Sequence, residues 1–408
     1  MPASILSDAS RYVFSAIREE DDFAEDLRRH GKKVVKLSSG DPALYYPTPK
    51  YIIDAYTEAL RSGRTTYSRS QGVIELVDAV VERYRKRYSL ALSEEDVIVT
   101  SGVAEALTFI NSALIDPGDR ALILRPYYTQ YPVAIQMFGG RFLAGDYDEE
   151  DDWNIELDSL AKLLKKGNAG RKGIKYLLIT NPNNPTGTVL PRKALEEVVG
   201  LANEHRILLI SDEIYDEIVF GGARFTSVCE LAGGLPYLVL NGASKAFDAT
   251  GFRIGYVLAP EGDRTSNEVK RKIADYCRVR LSANTPAQYA IASAMANGAE
   301  HERTVRELVN AIERVVGSAM KLLGENECVR AVKPNGAFYI FPKIRMDRLR
   351  FKDDREFVHA LLKEELVQTT RGSGFGAPDH FRMVALAPKG IMDDSIGRIN
   401  GFCDRHSR

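Results

Sequence analysis

Asn181-Pro-Asn-Asn-Pro-Thr-Gly187 follows directly on the apolar run Lys175-Tyr-Leu-Leu-Ile-Thr180. Two Asn-Pro steps and a Pro-Thr-Gly turn force an irregular loop at the end of what reads as a strand. Further short β-branched runs surround it: Val97–Thr100, Ala121–Leu124, Tyr176–Thr180, Ile207–Ser211, Leu238–Leu240 and Arg253–Leu258. Several are apolar on both faces, as parallel strands covered by helices must be. Between them lie helix-patterned stretches, Ala104–Ile115, Arg192–His205 and Thr265–Val279. This alternation predicts an α/β protein with a mostly parallel, doubly wound sheet. The loop at Asn181 then lies at the carboxyl edge, where such sheets bind ligands.

Outward from this centre, Thr285–Leu323 reads as long helices. Beyond it come VKPNGAFYIFPKI, a helix near Asp354–Glu365, LVQTTRGSGFG, HFRMVALA and a last helix near Asp393–Cys403. The pattern predicts three parts: residues 1–50 as an N-terminal arm and part of a smaller α+β domain, 51–300 as the large domain, and 301–408 as the rest of the smaller one. A chain of 408 residues is long enough for two cores. Lys+Arg (55) and Asp+Glu (56) nearly balance, which gives no electrostatic case for a nucleic-acid or membrane partner. No apolar run is long enough to span a bilayer, and the N-terminus lacks the order of a signal peptide, so a cytoplasmic protein is expected. Cys229, Cys277, Cys328 and Cys403 form no C-x-x-C pair and suggest reduced thiols. The six histidines show no metal-binding spacing, so no metal is expected. Gly372-Ser-Gly-Phe-Gly376 mimics part of a dinucleotide fingerprint but sits outside a βαβ unit and reads as a tight turn.

Three more strings carry chemistry. In Ser211-Asp-Glu-Ile-Tyr215, Asp212 reads either as a helix cap or as a buried carboxylate able to face a cationic ring nitrogen. Tyr215 follows one turn later and could donate to a phenolate-like oxygen. In Asn241-Gly-Ala-Ser-Lys245, the lysine lies past an apolar strand among small residues; desolvation would turn its amine into a nucleophile toward carbonyls. Arg253, eight positions on, suits a phosphate. In Val99-Thr-Ser-Gly-Val-Ala104, Gly102 falls between a strand and a helix, where backbone amides form an anion site.

Taken in order, these strings resemble the fold-type I pyridoxal-5′-phosphate (PLP) aminotransferases of class I/II, over roughly Tyr12 to Phe402. The resemblance implies PLP as cofactor and assigns roles to residues. Lys245 matches the lysine that forms a Schiff base with the cofactor and then acts as general base. Asp212 matches the partner of the pyridine nitrogen. Tyr215 and Asn184 match donors to the ring oxygen, and Asn184 also approaches the substrate carboxylate. Gly102, Val103 and Ala104 match the phosphate-cradling backbone, with Ser244 and Arg253 as further phosphate ligands. Tyr128, in Arg125-Pro-Tyr-Tyr128, matches the aromatic that stacks on the pyridine ring. Tyr67 matches a tyrosine that reaches the neighbouring subunit's cofactor phosphate, which implies a homodimer. Arg382 matches the arginine that grips the substrate α-carboxylate, and Gly40 the glycine beside it.

Gly40-Asp-Pro42, NTPAQ at Asn284–Gln288, GAFYIFPKI, GSGFG and His380-Phe-Arg382 are similar to the alanine aminotransferase group. That group carries a Tyr-x-Ile-Arg string lining the substrate pocket. Here it reads Ser15-Ala-Ile-Arg18, with Arg18 kept and Ser15 in the tyrosine position, which implies a roomier pocket. No clear counterpart exists to the second arginine with which aspartate aminotransferases bind a side-chain carboxylate. The implied activity is ping-pong transfer of an amino group from an L-amino acid, alanine or another neutral one, to a 2-oxo acid such as 2-oxoglutarate. The same fold and motifs host β-lyases (C–S lyases) and aspartate aminotransferase-like enzymes, and a ligand-sensing module is a further alternative.

Overall fold

The computed structural model describes residues 5–168, 173–260, 262 and 264–408. Its centre is an eight-stranded sheet: β1 (Val97–Thr100), β2 (Arg120–Arg125), β3 (Arg141–Asp148), β4 (Asn154–Ile155), β5 (Ile174–Thr180), β6 (Leu208–Asp212), β7 (Tyr237–Gly242) and β8 (Gly255–Leu258), in spatial order β1-β8-β7-β6-β5-β2-β3-β4. The pairs β2/β3, β2/β5, β5/β6 and β6/β7 are parallel, whereas β8 runs antiparallel to both its neighbours and β4 antiparallel to β3. The six strands expected from the apolar runs are thus present. β3 and β4 were not expected.

Strands β1 and β6 are buried at every residue, as helices on both faces require. One face packs Ile98, Ile123, Leu178, Ile210, Leu240 and Val257 against the helices Val103–Leu114 and Arg264–Arg280. The other packs Val99, Leu122, Leu177, Leu209 and Val239 against Ile74–Tyr88, Arg192–Glu204 and Thr285–Ala296. The alternation of consecutive residues between the two clusters is the two-residue period of a strand. A further core gathers Leu37, Leu308, Ile312, Phe357, Leu361, Phe381, Met383, Ile399 and Phe402 around the helices Gly298–Leu323, Asp354–Glu365 and Lys389–Arg405. Here Val35–Lys36 lies parallel to Val367–Gln368, so an early segment completes a late one.

One expectation needs correction. Arg253 is not a strand residue: it has φ 57°, in the left-handed region, and closes a short 3₁₀ turn at Thr250–Phe252 before β8 starts at Gly255. That turn matters because β8 is antiparallel. Its amino end therefore lies at the carboxyl edge of the parallel strands, with Gly255 opposite both Thr100 and Gly242. The reversal brings Arg253 to the edge that carries the other motifs.

The contact at Gly255 is close. A Cβ there would lie 2.6 Å from the Gly102 carbonyl carbon and 2.8 Å from the Val103 nitrogen. Gly255→Ala is expected to force that backbone apart and to lower unfolding free energy by about 1–3 kcal/mol, read from chemical denaturation against the parent.

Candidate active site

The NPNNPTG loop is tied both to itself and to the segments around it. Asn183 Oδ1 accepts from the Thr186 amide (3.1 Å) and hydroxyl (3.0 Å), and the Gly187 amide donates to Asn183 O (3.0 Å). Asn181 Oδ1 takes the Leu190 amide (2.9 Å). Gly187, at φ 72°, lies so close to Pro334 and to the Tyr339 carbonyl that a Cβ would come within 2.7 Å of both. Asn184 is the residue turned outward, and its Oδ1 accepts from Arg382 Nη1 at 2.9 Å.

The loop forms part of a cavity of about 610 Å³ at the carboxyl edge of the sheet. β6 ends there with Asp212, which is 3% exposed. Its Oδ2 accepts from Tyr131 Oη at 2.7 Å and its Oδ1 from the Ile214 amide at 3.2 Å. Tyr131 Oη also meets the hydroxyl of Thr180, which pairs with Asp212 across β5/β6. Burial pushes Asp212 up to about 6, while the Tyr131 hydrogen bond, the Ile214 amide and the Lys245 charge hold it lower than burial alone would. Its neighbour Glu213 is also buried, with Oε2 accepting from Ser227 Oγ (2.7 Å) and Oε1 from the Val228 amide (3.0 Å). Burial raises Glu213 to about 8. Glu213 does not line the cavity, so the acid that can serve the site is Asp212.

Past β7, Lys245 donates from Nζ to Gly40 O at 2.6 Å. Burial draws its amine from 10.5 down to about 8, against the pull of Asp41. Ser244 lines the cavity beside it, as do Val103 and Ala104. Gly102, at φ 80°, caps the helix that begins with those two residues. First-turn amides have no acceptor within their own helix. Arg253 reaches back over this turn, with Nη1 on Thr250 O at 2.9 Å and Nη2 on Ser101 O at 3.5 Å; a Cβ on Gly102 would lie 2.4 Å from Nη2. Free amides facing a guanidinium make an anion cradle that only glycine permits at position 102.

Opposite stands Arg382, fully buried on the strand Phe381–Val384. Nη2 donates to Ser38 O at 2.6 Å, the guanidinium lies over the rings of Tyr339 (4.6 Å) and Phe375 (4.7 Å), and Nε has no protein partner. A buried guanidinium with an unused donor suits a carboxylate. Gly40 leaves room: a Cβ there would meet Tyr339 Oη at 2.4 Å. Tyr128 lines the cavity and packs edge-on against Tyr131, with centroids 5.6 Å apart.

Two residues stand elsewhere. Ser15 caps the helix Ala16–Arg29, its Oγ accepting from the Arg18 amide at 3.4 Å, and does not line the cavity; the lining residue of that string beside Arg18 is Ile17. Tyr67 is 78% exposed and lies away from the cavity of its own chain. Sequence reasoning missed Tyr131 and Tyr339. Tyr131 lies three residues after Tyr128, and Tyr339 lies in GAFYIFPKI.

An amine, a buried carboxylate and an anion cradle on one edge of an α/β sheet fit a phosphorylated aromatic aldehyde. The chain belongs to the class I and II aminotransferases, whose family model matches residues 32–392. It is a PLP-dependent transaminase of fold type I. Aspartate aminotransferase of Bacillus subtilis is 31% identical over 94% of this chain and 95% of its own. Glutamate-pyruvate aminotransferase AlaA of Haemophilus influenzae is 31% identical over 92% of each. Among solved structures, alanine aminotransferase from Pyrococcus furiosus is 35% identical, with a TM-score of 0.92 over 98% of this chain and 100% of that one. No helix among the described residues is long and apolar enough to cross a membrane.

Only the unprotonated Lys245 amine is a nucleophile, so its titration near 8 sets a pH dependence. In protein stripped of cofactor, the rate of covalent PLP capture should rise with pH through about 8 and level off above it. A stopped-flow absorbance series should show this; a rise that continues unbroken to pH 10 would contradict the buried amine.

Proposed function

We propose that the chain transfers amino groups from a neutral L-amino acid, alanine or one somewhat larger, to a 2-oxo acid such as 2-oxoglutarate. The observation that carries this reading is that Lys245, Asp212, Asn184 and Arg382 line a single cavity. When bound, PLP supplies an aldehyde that accepts amines and a ring that takes up the electron pair released at the substrate α-carbon. Val103, Ala104, Ser244 and Arg253 would hold its phosphate, with Gly102 leaving the space. Asp212 would hold the ring nitrogen, Tyr215 and Asn184 the ring oxygen, and Tyr128 one ring face. Lys245 would hold the cofactor covalently. Its freed Nζ would take the proton from the substrate α-carbon and return it at the cofactor's former aldehyde carbon, on the far side of the bridging nitrogen. Arg382 fixes the substrate carboxylate with its unused Nε, which orients the α C–H bond toward Lys245.

A neutral donor is favoured by the charges at the mouth. Lys36 and Arg18 line the cavity, and both already pair with Asp21, at 3.0 and 2.9 Å. A side-chain carboxylate would have to compete with Asp21 for them. Arg18 is 77% exposed along its side chain, so its pair with Asp21 is the weaker restraint of the two and the one an acidic acceptor would have to displace. Similarity to a protein named aspartate aminotransferase keeps a dicarboxylate donor as the second reading.

The supporting frame is a homodimer, to which the exposed Tyr67, Leu60, Val279 and Leu281 would contribute. In it, residues 51–300 form the large unit, and 1–50 with 301–408 the smaller one. Four free, buried cysteines accord with a cytoplasmic setting.

Purified, PLP-loaded protein tested with a panel of amino donors against 2-oxoglutarate and pyruvate should prefer small neutral donors, and two-substrate initial rates should give parallel lines. Intersecting lines would count against ping-pong transfer, and release of ammonia and pyruvate without any oxo acid would favour lyase chemistry instead. Lys245→Ala should abolish the yellow cofactor band and cut turnover by at least about 10³-fold, since it removes nucleophile and base together.

A further inference from the structure

Tyr339 has no part in the roles assigned above, yet it touches both ends of the site. It is 1% exposed, and its Oη lies 2.6 Å from Tyr215 Oη. Its ring face lies under the Arg382 guanidinium, and its hydroxyl fills the space that a side chain at position 40 would need. The rings of Tyr215 and Tyr339 cross almost at right angles, 83°, with centroids 5.6 Å apart. Phe338 packs edge-on against Tyr215, and its ring centroid lies 4.8 Å from that of Tyr339, so the three rings form one cluster.

Two hydroxyls this close share one proton between them, and each brings only one. If Tyr215 points its proton at Tyr339, none is left for the cavity. If Tyr339 donates, Tyr215 is free to donate to the cofactor's ring oxygen, and its own O–H is polarised by the bond it receives. Desolvation keeps both phenols protonated, and the Arg382 charge makes Tyr339 the readier donor of the two. No other side chain among the described residues donates to Tyr215 Oη.

We propose that Tyr339 is a positioning residue that donates to Tyr215 Oη, so that Tyr215 can donate into the cavity, while its ring steadies Arg382. Tyr339 thereby couples the substrate-carboxylate end of the site to the cofactor end. This rests on the aminotransferase reading and deepens it.

The test uses PLP-loaded parent, Tyr339→Phe and Tyr339→Leu proteins. The pH midpoint of the cofactor absorbance change is read without substrate, and kcat and KM are read with a neutral amino donor. Tyr339→Phe keeps the ring under Arg382 and removes only the hydroxyl. A weaker donor at the ring oxygen stabilises its anionic form less, so the proton-bearing form persists to higher pH. The midpoint should rise by about half to one pH unit, kcat should fall about five- to tenfold, and KM should stay within about twofold. Tyr339→Leu should show the same midpoint shift and also raise KM about tenfold through loss of the aromatic face. In a Tyr215→Phe background, Tyr339→Phe should give no further shift. A midpoint unchanged in Tyr339→Phe, an undiminished shift in the Tyr215→Phe background, or equal KM values for the Phe and Leu variants would each overturn the proposal. Circular dichroism melts check that each variant is folded. A parent that shows no cofactor absorbance at all would sink the aminotransferase reading instead, a result distinct from these.

Discussion

A carboxylate kept away from water at the end of a strand organises this site. Charging Asp212 in a dry interior is unfavourable unless donors and a cation surround it. Tyr131, the Ile214 amide and the charge of Lys245 meet that need, and each arrives from a different stretch of chain. Tyr131 is tied in turn to Thr180 on the adjacent strand. The strand register, the helix start after Tyr128 and the loop after β7 therefore have to agree for a single side chain. A cationic ring nitrogen would complete the set.

The second core reaches the same point from the opposite side. The Ala337 amide bonds Ile218 O, the Asn335 and Gly336 amides bond Gly187 O, and Tyr339 meets Tyr215. The segment that follows Asp212 and the NPNNPTG loop are thus both held by residues 335–339. Arg382 joins in through Asn184 and Ser38. The Arg382 side of the cavity is built on the early and late parts of the chain and the Asp212 side on the sheet, and the two meet through a few short hydrogen bonds.

Much of this was legible in the sequence because parallel strands write their burial as unbroken apolar runs. Val97–Thr100 reads the same in sequence and structure, and Ile174–Thr180 extends its reading by two residues. β3 escaped because it lies near the sheet's margin: RFLAGDYD mixes Gly145, Asp146 and Asp148 with its apolar residues and is only partly buried. Arg253 was misread as strand because composition shows no backbone sign, and the left-handed turn that precedes Gly255 is a matter of φ alone. Ser15 was assigned to the pocket through a motif position, whereas it caps the helix start, and Ile17 and Arg18 line the cavity instead. Tyr131 and Tyr339 stayed silent because a buried tyrosine in an apolar string looks like core, and only the partner of its hydroxyl reveals more.

The reversed direction of β8 has a further implication. Lys245 and Arg253 stand at the two shoulders of one hairpin connection between adjacent strands, and the Ala243 amide is bonded to Ile254 O across its base. The spacing of the amine and the guanidinium along the chain is therefore set by the length of this one loop. An insertion or deletion between them would change the distance from the amine to the guanidinium. Variation in substrate preference would then be carried by other walls of the cavity.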